Sequence, residues 1–297
     1  MVELHTKKDI EKISSEILKG SQSFDVFPTP IDKIISYTEL IVSKEIDVSK
    51  IHSAYFSKAT DALRRALSKV RGVLDRRERT IYLDLSQKKP KLGFVQLHEV
   101  GHDVLPWQNK IHDILDDDDD SLSPETHEDF EAEASFFASA TLFQHDRFLT
   151  ELDKLSLEIE SPMHLAKLFG ASVHASLRRY VEYSKNKCAL IVLENISKNG
   201  SIAKCSLRDK FQSEYFSKTF GDLYFPIDLE YTWPFVQDYH HKRRIRKDGT
   251  LTMLTQNGMV DFTYHFFNNG YNAFVFLFPK GEMKSSRTKI IITEKRL

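Results

Sequence analysis

Residues 94–107, FVQLHEVGHDVLPW, carry two histidines four positions apart with a glutamate directly after the first. On a helix, positions i and i+4 share one face about one turn apart, so His98 and His102 can present two imidazole nitrogens to one ion. Glu99 is rotated by about 100° from His98, which sets its carboxylate beside such an ion, where it can hold and deprotonate a water. Neutral imidazoles suit zinc, and three protein ligands with an open fourth position lower the pKa of a bound water to about 7. The chemistry that fits is metal-assisted hydrolysis. The flanking Phe94, Val95, Leu97, Val104 and Leu105 surround the helix with apolar neighbours and predict that it is buried. Gly101 in mid-helix costs about 1 kcal/mol relative to alanine, a cost that makes sense where another element approaches closely.

A third ligand must come from elsewhere. The metzincin pattern would place a histidine at 108, but residue 108 is Gln, and residue 105 is Leu where that pattern needs Gly. The segment ETHEDFEAEASFFASATLF, residues 125–143, predicts a helix offering Glu125, Glu128, Glu131 and Glu133. With Phe130 at zero and about 100° per residue, the apolar set from Phe130 to Leu142 spans about −20° to 120°. Glu131 falls near 100°, inside that arc, whereas Glu133 near −60° and Glu128 near 160° fall outside it. A carboxylate on a buried apolar face demands a partner, and a zinc ion is one. Glu131 is therefore the expected third ligand, converging with His98 and His102 on one Zn2+ per chain.

The elements that must position these groups can be read around them. Ile10, Ile13, Ile17 and Leu18 keep a helical period, and Gly20 follows as a stop. Two prolines in FPTPIDKIISYTELIV precede a short amphipathic helix. Residues 50–72 predict a further helix, and RTIYLDLS, residues 79–86, a strand. Pro106 ends the histidine helix soon after His102. The acidic run 116–120 predicts a solvated loop and lacks the interleaved spacing of a calcium loop. HLAKLFGASVHASLRRY, residues 164–180, predicts two short helices around a turn at Gly170–Ser172, similar to a helix-turn-helix, with Arg178 and Arg179 late in the second. Beyond about residue 186 the texture changes to strands: ALIVLENIS, LTMLTQ, VDFTYHFF, NAFVFLFP and KIIITE, with turns at Gln256-Asn257-Gly258 and Asn268-Asn269-Gly270. HHKRRIRKDG, residues 240–249, predicts an exposed loop between β-elements.

HEVGH followed by EAEASFFA resembles the ImmA/IrrE metallopeptidase family, whose pattern is approximately HE-x-x-H and then E-x-E-A-N-x-F-A. The resemblance covers roughly residues 25–180 and includes FPTPIDKIISY and RTIYLDLS, the latter in the position of the family's active-site-edge strand. It carries the family's ligands onto His98, His102 and Glu131 and its catalytic base onto Glu99. Ser135 replaces the family's asparagine, which puts a hydrogen bond to a ligating histidine in question. LFQHD replaces the more usual LLMP ending and bears on the helix terminus. The implied fold is α+β: a helical, zincin-like core similar to gluzincins with a small edge sheet and the helix-turn-helix-like segment 160–182, together over residues 1–185, then a β-rich sensor or partner-recognition domain over 186–297. The implied activity is zinc-dependent cleavage of a peptide bond in a regulatory protein, a DNA-binding repressor or antitoxin-like partner. Two competitors are a zinc-bearing interaction module that binds such a partner without cutting it, and a DNA-binding regulator using residues 164–180. An oxyanion donor is also expected, with His127, His112 and several tyrosines as candidates.

Composition bounds the remainder. The chain has 297 residues, 41% hydrophobic and 29% charged, and a formal net charge of −1, so global electrostatics favour neither nucleic acid nor membrane. Two cysteines, Cys188 and Cys205, make no disulfide framework and fit a reducing cytoplasm. The polar N-terminus lacks the apolar core of a signal peptide, and no apolar run approaches the roughly 18–20 residues that span a bilayer.

Overall fold

The computed structural model describes residues 2–47, 72–111, 123–199 and 202–282. The helix expected over 50–72, apart from Gly72, which starts a strand, lies outside the described residues, as do the acidic run 116–120, His112 and the strand KIIITE. The chain divides into two compact units, Met1–Leu149 with Ala166–Ser172, and Thr150–Leu165 with Val173–Leu297. The α+β class is met in both: the first joins helices to a three-stranded sheet and the second joins helices to a six-stranded one.

In the first unit α1 (Leu4–Gly20) buries Ile10, Ser14, Ile17 and Leu18, the face its periodicity predicts. Pro30 caps α2 (Ile31–Tyr37), and β1 (Ile41–Asp47), β2 (Gly72–Asp75) and β3 (Thr80–Leu83) form a sheet of order β1-β3-β2. β1 runs parallel to β3 and β2 antiparallel to it, which leaves β2 on the edge. The histidine helix α3 (Lys89–Val104) packs on α4 (Pro124–Leu142). Ser123 caps α4, its side chain accepting from the Thr126 N–H, and Pro124 occupies the first turn where a missing N–H costs nothing. α1 also packs on α4, and the buried Ser14 and Thr141 hydroxyls meet between them at 2.9 Å.

The unusual LFQHD end of α4 has a definite task. Gln144, 1% exposed, accepts from the Asp25 N–H at 2.7 Å and donates to Val26 O at 2.8 Å and Thr29 Oγ1 at 3.0 Å. It thereby ties the helix end to the loop before α2. Beside it Phe143, Phe148 and Phe169 form a mutually packed aromatic cluster, joined edge-on by Phe27.

The helices α5 (Asp146–Leu152), α6 (Glu160–Phe169) and α7 (Val173–Tyr183) follow. The expected turn at 170–172 separates α6 from α7, and Gly170 there has φ +74°, a left-handed conformation that favours glycine. In the second unit β4 (Ala189–Asn199), β5 (Ile202–Gln212), β6 (Asp228–Glu230), β7 (Ile245–Thr255), β8 (Gly258–Asn268) and β9 (Ala273–Pro279) make an antiparallel sheet of order β6-β5-β4-β9-β8-β7. Two helices between strands, α8 (Glu214–Phe220) and α9 (Pro234–His240), place Phe216 and Phe235 in the same core as Phe262, Tyr264 and Val275. Along β9, Phe274 and Phe276 point to the opposite face from Val275. They meet His174 and Tyr180 of α7 there.

The alternating aromatics of β8 and β9 are thus sheet core, with Phe262, Tyr264, Phe266, Phe274, Phe276 and Phe278 all at 0% exposure. The basic stretch 240–249 differs from the expected loop. Its second half is the start of β7, and Arg243 and Arg246 both reach the buried Asp238, at 3.4 and 3.3 Å. Lys247 pairs with Glu160 at 2.5 Å. Arg179 is 5% exposed and stacks over Tyr183, and Arg178 bonds Glu182 at 2.8 Å and lies over Phe211. Among the described residues no helix is long and apolar enough to cross a membrane.

Candidate metal centre

α3 and α4 approach closely because Gly101 lets them. A Cβ built on Gly101 would lie 3.1 Å from Ala134 Cα and 3.1 Å from the Phe137 ring, so the mid-helix glycine is an α3–α4 contact point. One turn toward the N-terminus of each contact lie His98 and Glu131. His98 Nε2 is 3.3 Å from Glu131 Oε2, His102 Nε2 is 3.3 Å from Glu131 Oε1, and the two Nε2 atoms are 3.1 Å apart. These three residues form the group among the described residues that could hold a metal ion.

The spacing fits an ion of zinc's size. Ligand bonds of about 2.0–2.1 Å in a tetrahedron place donor atoms about 3.3 Å from one another. The two Nε2 atoms, 3.1 Å apart, come close to that edge length, each has a different Glu131 oxygen at 3.3 Å, and one ligand atom from each residue lies within 4.8 Å of the others. The donor set, two imidazoles and a carboxylate, suits zinc, with one coordination position left for another molecule.

One expectation needs correction. Glu131 has the predicted direction, but its side chain is 49% exposed rather than buried. The apolar neighbours Phe130, Ala134, Phe137 and Ala138 are buried as predicted. A helical wheel gives the azimuth of a side chain and not its depth, and Glu131 sits at the rim of the α3–α4 seam. Its carboxyl is held well below the usual carboxylate range by hydrogen bonds from His102 and His98.

Glu99 is the buried acid, 6% exposed. Burial pushes its carboxyl up, His98 and His102 pull it down, Glu131 adds to the rise, and Arg76 opposes it. β2 covers it: a Cβ on Gly72 would stand 2.6 Å from Val95 Cγ1 and 2.8 Å from Glu99 Oε1, so the edge strand passes directly over this side chain. The His102 imidazole is raised despite its burial, by the hydrogen bonds it makes to the accepting oxygens of Glu131 and Gln108 and by the charge of Glu99.

The partners of the histidines' outer nitrogens were only half foreseen. Ser135 Oγ lies 3.2 Å from His98 Nδ1, so the serine retains a contact with the ring. His102 Nδ1 meets Gln108 Oε1 at 2.8 Å, and Gln108 Nε2 donates to Glu133 Oε2 at 2.8 Å and to Phe130 O at 3.2 Å. Glu133 also accepts from Trp107 Nε1 at 2.7 Å. Periodicity along α3 could not show this, because α3 ends at Val104 and Gln108 belongs to a new helical segment that begins at Pro106. Arg76, just past β2, donates to His102 O at 2.9 Å and to Asn109 Oδ1, fastening the same segment from the other side. Of the oxyanion candidates, His127 stands exposed on α4 one turn before Glu131.

An HExxH helix, an acid from the next helix and a covering edge strand define the class as a metallopeptidase-like domain. Residues 51–180 match the model of peptidase family M78, described as an IrrE N-terminal-like domain. The match agrees with the ImmA/IrrE resemblance of the motifs in this part of the chain. A solved structure, a Mycobacterium tuberculosis transcriptional regulator, shares the fold with a TM-score of 0.54 at 11% identity, over 92% of this chain and 76% of that one. No curated protein matches the chain.

Proposed function

We propose that the protein is a zinc-dependent endopeptidase that hydrolyses a peptide bond in a regulatory protein, a DNA-binding repressor or antitoxin-like partner. The observation that supports this best is the convergence of His98, His102 and Glu131, one ligand atom from each within 4.8 Å of the others, beside the buried Glu99 on the helix that carries both histidines. The family match to an IrrE N-terminal-like domain and the fold shared with a transcriptional regulator agree with a peptidase placed in regulation.

His98, His102 and Glu131 would hold one zinc ion, which would supply Lewis acidity toward a scissile carbonyl and a water of lowered pKa, about 7. Glu99 accepts a proton from the attacking water and returns it to the leaving amine. Its burial under Gly72 keeps the carboxylate out of bulk solvent, and its position beside the ligand pair is fixed by the helix itself. Gln108 and Ser135 hold the imidazoles from behind.

Metal analysis and a trap variant test the proposal. The wild type should bind about one equivalent of zinc, and His98→Ala or Glu131→Ala should lose most of it. Glu99→Gln should keep zinc and capture the substrate protein but cut it at least about 100-fold more slowly, the low end for a general base. A Glu99→Gln variant that cleaves normally would remove Glu99 as the base. A wild type that captures the partner and never cleaves it would favour the interaction-module reading instead.

A further inference from the structure

We infer that Gln108 is a positioning residue for the metal centre, fixing a proton of His102 on Nδ1 so that Nε2 is the nitrogen turned toward Glu131 and His98, and that Glu133 in turn fixes Gln108. The inference rests on the reading of His98, His102 and Glu131 as a metal site.

The argument is one of donors and acceptors. A glutamine amide has an acceptor end and a donor end, and which end points where is decided by its neighbours. Two groups surround Gln108 Nε2: the Glu133 Oε2 carboxylate oxygen at 2.8 Å and the Phe130 carbonyl at 3.2 Å. An ionised carboxylate and a carbonyl only accept, so the NH2 end must face them. The oxygen end is thereby turned toward His102 Nδ1, 2.8 Å away, and an amide oxygen cannot donate. The imidazole must therefore carry its proton on Nδ1. Nothing can relax this by exchange with water, because Gln108 is 0% exposed. Glu133 is itself fixed by a second donor, Trp107 Nε1 at 2.7 Å.

The contrast with His98 is informative. Its Nδ1 meets the Ser135 hydroxyl at 3.2 Å, and a hydroxyl donates or accepts as its neighbour requires. Ser135 therefore supports the ring without dictating its tautomer. The directional restraint falls on His102 alone, and it comes from PWQN, the four residues after the helix break, rather than from the HExxH motif.

The experiment uses full-length protein labelled with 15N-histidine, with and without zinc, in the wild type and in Gln108→Leu, Glu133→Gln and Glu133→Leu. Ring-proton spectra should show a slowly exchanging His102 Nδ1–H in the wild type in both forms, and Gln108→Leu should lose it. Chelator competition should give Gln108→Leu a zinc affinity about 10–100-fold weaker, the usual effect of removing such a partner. Glu133→Gln, whose amide oxygen still accepts from Gln108 and Trp107, should stay close to the wild type, with Glu133→Leu in between. A wild-type His102 without a proton on Nδ1, or a Gln108→Leu protein that binds zinc as tightly as the wild type, overturns the inference. Should Gln108→Leu fail to fold, equal zinc affinity in Glu133→Gln and Glu133→Leu overturns it as well. A wild type that binds no zinc defeats the proposed function, while the ring proton still decides the role of Gln108.

Discussion

Replacing Gly101 by alanine is the sharpest probe of how α3 and α4 make one site. In an exposed helix the change would stabilise by about 1 kcal/mol, because alanine loses less backbone freedom on folding. Here the new methyl would lie 3.1 Å from Ala134 Cα, 3.1 Å from Phe137 Cδ1 and 3.3 Å from Ala134 O. Carbon atoms pack best at about 3.5–4.0 Å, so the helices must part by about half an ångström. Two of the three obstructing atoms are backbone and cannot rotate away. Overpacking of this kind costs about 1–3 kcal/mol, which leaves a net loss of about 0–2 kcal/mol after the propensity gain.

The separation also falls on the ligands, since His98 and His102 ride on α3 and Glu131 on α4. Closing the site around an ion requires the helices to return to their original distance. If 1–2 kcal/mol is spent there, zinc affinity drops by about 5–30-fold. Denaturant unfolding of the metal-free protein and chelator competition measure the two parts separately. A Gly101→Ala protein that gains about 1 kcal/mol and binds zinc like the wild type would refute the claim that close helix contact sets the site.

Three further outcomes are expected. Ser135→Ala should weaken zinc binding by less than Gln108→Leu does, because the hydroxyl supports His98 without fixing its tautomer; chelator competition on the pair gives the order. Cys188 and Cys205 are buried and their thiols are pushed up to about 12 by that burial, so neither should react with a disulfide reagent at neutral pH until the protein is unfolded, when both should. Tyr264→Phe removes the hydroxyl that donates to the buried Asp238 at 2.8 Å and should cost about 1.5–3 kcal/mol in denaturant unfolding, the range for hydrogen bonds to charged groups.

Much of this architecture was legible in residue order because local signals coincide with tertiary demands. Ser123-Pro124 starts α4, Gly170 turns α6 into α7, and Asn257-Gly258 closes the β7–β8 hairpin, each by rules that act within a few residues. β5 was not foreseen: IAKCSLRDKFQ alternates, but Lys204, Arg208 and Lys210 dominate the pattern with charge, and its apolar side is supplied by Ala203 and Cys205. α8 and α9 were missed for a different reason. Each is seven residues long, too short to show a sustained period, and each is held by a few side chains, Phe216 and Phe220 in one and Phe235, Val236 and Tyr239 in the other, reaching a core assembled from distant strands. The basic stretch concealed Gly249, where a Cβ would collide with the Tyr264 ring, a constraint visible only once β7 and β8 are paired.

The metal centre divides along the same line. Two of the proposed ligands and the proposed base follow from helix periodicity, since His98, Glu99 and His102 belong to one helix. The proposed third follows from periodicity on a second helix only as a direction, so Glu131 lies near both histidines while its 49% exposure departs from the expected burial. The restraint on His102 follows from no period at all. Leu105 closes α3, its N–H still bonding Gly101 O at 3.2 Å, and Pro106 begins a second helical segment that runs through residue 111. That second segment carries Gln108 to the imidazole and Trp107 to Glu133. Glu133 was set aside because it points away from the apolar arc, and that same direction carries it to Trp107 and Gln108. The two acids of EAE thus serve opposite sides of one histidine, Glu131 at Nε2 and Glu133, through Gln108, at Nδ1. Spacing of two in a helix turns side chains by about 200°, so one short motif can grip the ring from front and back.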